Sequence, residues 1–335
     1  MKALIFRILK QLKNDPRTLA IMLVAPILLM SLIYFLLSDN DYQARIGVYD
    51  IQESFIEVLS EEVEVKQLSD TSEISLFLKN DSVDAVLWAN EDGIHTMVLE
   101  NNSKSAKAMQ AVQVALSKMM PIGEFSTDSI YGSADESYFS SMAYIFLVVV
   151  AFFFTFIVSG MALVRERFTN TLERLLMSPI RRWQIVGGYI GGYGIAAIIQ
   201  GVLIILTSIY VLSVPVAGSV WLCILIIILL SVCAVETGAL VSIFANSEFQ
   251  VAQFIPILVI PQIFFTGIIP IDIIPYHLGN LCYIMPMYYG AAPLKEIMVK
   301  GAGFVDVLPW LLGLIVFIVI LFILNTLSLK KYRRL

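Results

Sequence analysis

The sequence predicts an α-helical polytopic membrane protein with six transmembrane helices and an extracellular α+β domain inserted between spans 1 and 2. Three observations carry that expectation. The 335 residues are 58% hydrophobic and only 15% charged, with a mean hydropathy of +0.82, whereas a soluble domain runs near half apolar and about a quarter charged. The apolar residues gather into six runs, each near the roughly 20 helical residues needed to cross a hydrocarbon core. Residues 38–141, between the first two runs, are instead rich in Asp and Glu and patterned like a water-soluble fold.

Taken in order, residues 1–18 set Ile5, Ile8, Leu9 and Leu12 at helical spacing, with Lys2, Arg7, Lys10 and Lys13 on the other face. That is the pattern of an interfacial helix in the headgroup layer. The alternative is a plain basic flank to the first span, and under either reading the bases mark a cytoplasmic N-terminus. The first span covers residues 19–37. It is longer than a signal-peptide core, and Ser38-Asp39-Asn40 offers no small-residue cleavage motif, so a retained span is expected.

Within residues 38–141, alternation and turn chemistry predict strands at 44–49, 63–68, 85–89 and 94–99, with helices at 54–62, 72–80 and 104–119. Residues 120–141 read as a polar tether. The remaining spans are expected at 142–164, 188–212, 220–244, 251–271 and 308–329, leaving 330–335 as a cytoplasmic tail. Arg165, Arg167, Arg174, Arg181 and Arg182 crowd the connection at 165–184, and Lys330, Lys331, Arg333 and Arg334 crowd the C-terminus. Because Lys and Arg favour short cytoplasmic loops, both segments are expected inside the cell, and an even number of spans agrees with that.

Several function classes are excluded or weakened. A net charge of -5, with the bases confined to membrane edges, argues against a nucleic-acid partner. Two histidines, His95 and His277, cannot make a catalytic metal cluster. Cys223, Cys233 and Cys282 form no disulfide framework, since the first two stand roughly 15 Å apart along one helix. No phosphate-cradling glycine loop is present, so no nucleotide cofactor is expected on this chain and catalytic residues are not assigned.

The richest signal is the run Arg165-Glu166-Arg167-Phe168-Thr169-Asn170-Thr171-Leu172-Glu173-Arg174-Leu175-Leu176-Met177-Ser178-Pro179. Asn170 or Thr171 is placed to cap a short helix, Glu173 falls in its first turn, and Ser178-Pro179 ends it. A solvated basic loop would explain the arginines but not the apolar face of Leu172, Leu175 and Leu176.

This run resembles the Arg-Glu-Arg-x-x-Gly-Thr-Leu-Glu-x-Leu-Leu-x-Ser-Pro signature of the ABC type-2 transporter permeases, the membrane subunits of ATP-binding-cassette exporters. The resemblance extends to Lys13-Asn14-Asp15-Pro16-Arg17-Thr18-Leu19 with Pro26, which look like the family's connecting helix. It also extends to residues 261–271 with Pro275, Pro286, Met287 and Tyr288, which look like its fifth span and half-inserted helices. It implies that Arg165, Glu166, Arg167, Thr171, Leu172, Glu173, Leu175, Leu176, Ser178 and Pro179 belong to a coupling helix docking on a separate cytoplasmic ATPase. ATP and Mg would then be bound by that partner, and a second permease copy, identical or not, would complete the transporter in the lipid. The chain departs from the pattern at Asn170, where Gly is usual, and at Gly188-Tyr189, where the third span usually opens Gly-Lys. Asn still tolerates a left-handed backbone.

The resemblance implies export of an amphipathic, drug-like or lipid-like substrate, since such families include drug, antibiotic, lipid-linked and sodium exporters. Glu236, Gly267 and Pro270 are the candidates for a substrate or ion path. Glu236 is an acid deep in an apolar run, where ionisable groups cost about 2.5–3.5 kcal/mol. It reads as a substrate or proton site, a hydrogen-bonded structural acid, or an acid reaching water at the cytoplasmic edge. Repeated Pro and Gly over residues 261–288 free backbone carbonyls, which suits re-entrant helices in the extracellular loop 272–307. Gly187, Gly188, Gly191, Gly192 and Gly194 suit close helix packing. The rivals are an ion-coupled secondary transporter, against which the chain shows no internal repeat, and a membrane sensor using the outer domain.

Overall fold

The computed structural model describes residues 1–37, 44–61, 63–68, 83–90, 93–98, 103–119, 138–269, 274, 276 and 278–329. They fall into two compact units, Met1–Ser38 with Ile130–Leu335, and Asp39–Ser129.

In the larger unit, α1 (Lys2–Asn14) and α2 (Pro16–Leu37) meet at an elbow on Asp15. The Asp15 carboxylate accepts from the Thr18 backbone N–H at 3.3 Å and the Thr18 hydroxyl at 2.9 Å. Asp15 thus caps α2, whose first residue is a proline that has no N–H to satisfy. The following helices are α5 (Tyr138–Phe168), the short α6 (Thr171–Met177), α7 (Arg182–Tyr210) and α8 (Val220–Phe244). After them come the broken α9 (Glu248–Ile268), α10 (Tyr288–Lys300) and α11 (Phe304–Ser328). Six of these helices, α2, α5, α7, α8, α9 and α11, are long and apolar enough to cross a membrane.

Helix α5 is the axis of this unit, with Phe139, Phe152 and Phe156 fully buried against its neighbours. α8 approaches it closely at Gly238, where an added Cβ would stand 2.6 Å from the Phe156 carbonyl and 2.9 Å from the Gly160 nitrogen. Between lipid-facing helices the gain comes from such close packing, because the surrounding tails are as apolar as the side chains. Inside the unit, Thr155 donates to Gln200 at 3.1 Å, linking α5 to α7.

α9 is interrupted at Phe254 and Val259. Pro256 and Pro261, each one residue into the next piece, remove the N–H groups that a continuous helix would use. It closes in a π turn over Phe264–Ile268, where Gly267 adopts φ 107, a value that demands glycine. Gln262 compensates by donating to the Leu258 carbonyl at 2.6 Å and accepting from the Met287 N–H at 3.3 Å. α10 starts at mid-span depth: Gly290 lies against Leu230 of α8 and Val148 of α5. Its far end reaches the α7–α8 turn, where Ala217 N–H donates to the Met298 carbonyl at 2.9 Å.

The smaller unit holds β1 (Arg45–Tyr49), α3 (Glu53–Ser60), β2 (Glu64–Gln67), β3 (Ala85–Asn90), β4 (Gly93–Val98) and α4 (Ser103–Met119). The sheet order is β2-β1-β3-β4, with β1 parallel to β2 and β3 and the β3–β4 hairpin antiparallel. Ile46, Val48, Ala85 and Leu87 point to one face and bury Phe55 and Leu59 of α3 and Val112 of α4. The α+β reading of this segment therefore corresponds to a real sheet with covering helices. The helix expected at 72–80 and most of the tether lie outside the described residues.

Candidate functional site

The candidate site is the junction of α1, the end of α5, α6 and the start of α7. Helix α5 runs through Arg165-Glu166-Arg167 to Phe168, so these three residues occupy its last turn and the coupling run is not one helix. The amphipathic α1 lies on α7, with Gly188 beneath Leu4, Gly191 beneath Ile5 and Gly192 beneath Ile8. The glycine stripe thus seats the N-terminal helix, a partner the sequence did not name.

Three polar side chains lock that seat. Arg7 Nη2 donates to Glu166 Oε1 at 2.9 Å and to the Tyr189 hydroxyl at 3.1 Å, and that hydroxyl donates to Glu166 Oε2 at 3.0 Å. Glu166 is 3% exposed, so both of its oxygens are spent inside the protein. Burial pulls the Arg7 guanidinium down, but Tyr189 and Glu166 more than offset it and hold it above its ordinary value. Tyr189 stands where the family pattern has Lys, and the positive charge at this site comes from Arg7 of α1. The sequence places Arg7 on the basic face of α1, and its partner Glu166 is 159 residues away.

The flanking arginines are also engaged. Arg165 pairs with Asp15 at 3.1 Å, joining α5 to the α1–α2 elbow. Hydrogen bonds from Thr18 and then the Arg165 charge hold the Asp15 carboxyl below its usual range. Arg167 donates to the carbonyls of Ser242 and, at 3.0 Å, Ala245, closing the C-terminal end of α8. A cation there meets the negative end of the helix dipole.

α6 turns away through Asn170, whose φ 55 is left-handed, as its place in the run allows. Ser178 ends the helix, its hydroxyl donating to the Leu175 carbonyl at 2.6 Å. Leu172 is buried at 5%, packing with Leu175 and Leu176 into the cluster built by Leu4, Ile8 and Ile185. The opposite side presents Glu173, Arg174, Met177 and Pro179, with Phe168 exposed beside them. A hollow of ≈ 310 Å³ lies against α6, lined by Phe168, Asn170, Glu173, Leu176 and Asn246 among others. Of the ten residues assigned to coupling, then, Glu166 and Leu172 face inward, Arg165, Glu173 and Pro179 are open, and the others are half-buried.

Glu236 and Gly267 do not come together. Gly267 lies against Tyr144, toward the start of α5. Glu236 sits toward the end of α8, where its backbone carbonyl accepts from Asn325 of α11 at 3.0 Å. Its side chain is 1% exposed, and Oε2 has no hydrogen-bond partner among the described residues. Pro270 lies outside the described residues.

Six membrane-length helices, the second and third joined by a short helix, define a multi-pass membrane protein. Residues 16–327 match the model of the ABC-2 family transporter proteins, and the chain belongs to that family. It is 23% identical over 279 residues to ABC transporter G family member 20 of Dictyostelium discoideum, a match covering 80% of this chain and 37% of that protein. It is 29% identical over 148 residues to the probable multidrug ABC transporter permease YbhR of Escherichia coli, covering 44% of this chain and 40% of that one. The inner membrane transport permease YhhJ of the same organism is 29% identical over 160 residues, 47% of this chain and 43% of its own. The chain thus spans about two fifths of the length of these relatives.

Proposed function

We propose that this chain is the membrane-spanning subunit of an exporter for amphipathic, drug-like or lipid-like molecules, powered by a separate ATP-binding-cassette subunit that carries ATP and Mg. The observation that carries this reading is the two-sided α6. Its Leu172 face is anchored among α1 and α7, while Glu173, Arg174 and Met177 are exposed on the other side, and a hollow of ≈ 310 Å³ reaches Leu172, Glu173 and Leu176. A partner that grips the outer face moves the inner one.

On this reading α1, α6 and both termini are cytoplasmic, the α+β unit is extracellular, and α10 with the 3-10 helix Leu278–Ile284 forms a re-entrant element. Two permease copies pair with two ATPases. Nucleotide binding shifts α6, and the lock at Glu166 passes that shift to α1 and α7, so that the spans rock together. The ATPase has a differential contact with α6 in its two nucleotide states, which supplies the bias. Glu236, whose buried Oε2 has no partner among the described residues, gains one as the spans move, and the glycine hinge at Gly267 gives α9 the freedom to bend.

The test is capture of the ATPase. With Met177→Cys, a thiol on the presented face, a short thiol crosslinker is expected to trap a cytoplasmic ATP-binding protein, with a yield that changes when nucleotide is added. Labelling of the introduced thiol only from the outer side of the membrane overturns the orientation and the docking together.

A further inference from the structure

Glu236 lacks a partner for its charge. Its side chain is 1% exposed, and Oε2 has no hydrogen-bond partner among the described residues. Of the three roles open to this acid, a hydrogen-bonded structural one and a reach to water at the cytoplasmic edge are set aside by that placement. The helices packed on α8 bring no free base to it. Along α11 there is no ionisable residue after Asp306, near its start, and along α5 none between Tyr144 and Arg165. Within α7 the titratable groups are Tyr189 and Tyr193, with Arg182 and Tyr210 at its ends. Lys295, Glu296 and Lys300 belong to the end of α10 at the α7–α8 turn, and Glu248 to the start of α9. On α8 itself the Cys233 thiol donates to the Leu314 carbonyl at 3.6 Å. Arg165 pairs with Asp15, and Arg167 is engaged by the carbonyls that close α8.

A carboxylate buried without a partner is costly enough that the group takes up a proton instead. A hard metal cation is a poorer guest, because it collects about six oxygens or more. A proton needs only the one.

A cavity of ≈ 40 Å³ lies between α5, α6, α7, α8 and α11, with Leu172, Tyr189, Ser242 and Asn325 among its lining. That is room for a water, and the polar groups on the wall suit one. The cavity adjoins Glu236 in two ways. Val235, the preceding residue, lines it, and so does Asn325, whose amide donates to the Glu236 carbonyl at 3.0 Å. Leu172, buried on the inner face of α6, belongs to the same wall, so a movement of α6 changes the space next to the acid.

We propose that Glu236 is a proton-binding site whose release is controlled by α6. With α6 seated, the carboxyl keeps its proton. When α6 shifts, water enters past Asn325, the carboxyl O–H bond breaks, the proton leaves on that water, and the carboxylate stays behind, solvated. This deepens the exporter reading and takes the movement of α6 from it, whereas the bound proton stands without it.

Infrared spectra of the full-length chain, near neutral pH in a detergent without carbonyl groups, test the site. The wild type is expected to show a protonated-carboxyl stretch that moves on exchange into heavy water and is lost in Glu236→Gln. The Gln amide has the shape of the neutral acid, so thermal stability is expected to be unchanged. A second measurement needs no variant: dicyclohexylcarbodiimide, an apolar reagent that adds to protonated carboxyls, is expected to modify Glu236, and a water-soluble carbodiimide is not. Leu172→Ala, which opens the cavity wall, tests the control. The protonated stretch is expected to weaken there as the carboxylate stretches gain. A difference between wild type and Gln confined to the carboxylate stretches, or modification of Glu236 by the water-soluble reagent alone, overturns the proton site. A stretch as strong in Leu172→Ala as in the wild type overturns control by α6. If Glu236 holds its proton as expected but nucleotide drives no export, the exporter reading fails and the proton site stands. Nucleotide-driven export by a chain whose Glu236 is ionised in these spectra removes the site and leaves the exporter reading intact.

Discussion

Glu166→Ala is expected to destabilise the membrane unit by about 3 kcal/mol, at the lower end of what removing one partner of a buried ion pair costs. Two groups lose their acceptor at once, the Arg7 guanidinium at 2.9 Å and the Tyr189 hydroxyl at 3.0 Å. Tyr189 is 3% exposed, whereas the Arg7 side chain, 35% exposed, can swing toward the headgroups and recover part of the loss. Glu166→Gln loses the charge and one of the two acceptors but keeps an acceptor for one donor, so a smaller loss is expected. Thermal unfolding of the purified chain in detergent checks the order, wild type above Gln above Ala. An Ala variant as stable as the wild type means that the three side chains do not hold α1 in place.

Gly192→Ala is expected to unseat α1. A Cβ there would lie 2.7 Å from Ile8 Cγ2 and 2.8 Å from Ile8 Cβ. Those atoms are rooted at the α1 backbone, so a rotamer change cannot clear them and the helix itself must shift. Overpacking of this kind costs about 1–3 kcal/mol. Gly194 supplies the control, since a Cβ there meets nothing within 4 Å. Gly194→Ala is expected to be neutral or to stabilise α7 by about 0.5–1 kcal/mol through helix propensity. Hydrogen exchange over Lys2–Asn14 distinguishes the two: faster in Gly192→Ala, unchanged in Gly194→Ala.

The sequence carried the fold further than the site. Each span announces itself by the length of an apolar run, a property of the segment alone, and the strands of the small unit announce themselves by alternation. The breaks in α9 were legible because proline acts on its own backbone, whichever neighbours surround it. Asn170 was legible for the same reason. What pattern could not supply was partnership. Arg7, Glu166 and Tyr189 each looked ordinary in its own segment: a base on a basic helix, an acid between arginines, a tyrosine replacing an expected lysine. Their contact depends on α1 folding back onto α7, which no local spacing encodes. The glycine stripe announced a close approach but not that an N-terminal helix makes it. Likewise the coupling run reads as one motif but divides in three dimensions: Glu166 and Leu172 serve the interior, and Glu173 serves the face turned outward.

That division makes Glu173 the residue to change. In vesicles containing the chain and its matched ATPase, ATP hydrolysis and substrate export are measured together for wild type and Glu173→Lys. The variant is expected to assemble and hydrolyse ATP while export falls toward background, because the presented face of α6 no longer follows the nucleotide state. Export that stays proportional to hydrolysis in the variant, or export by the chain with no nucleotide at all, contradicts it.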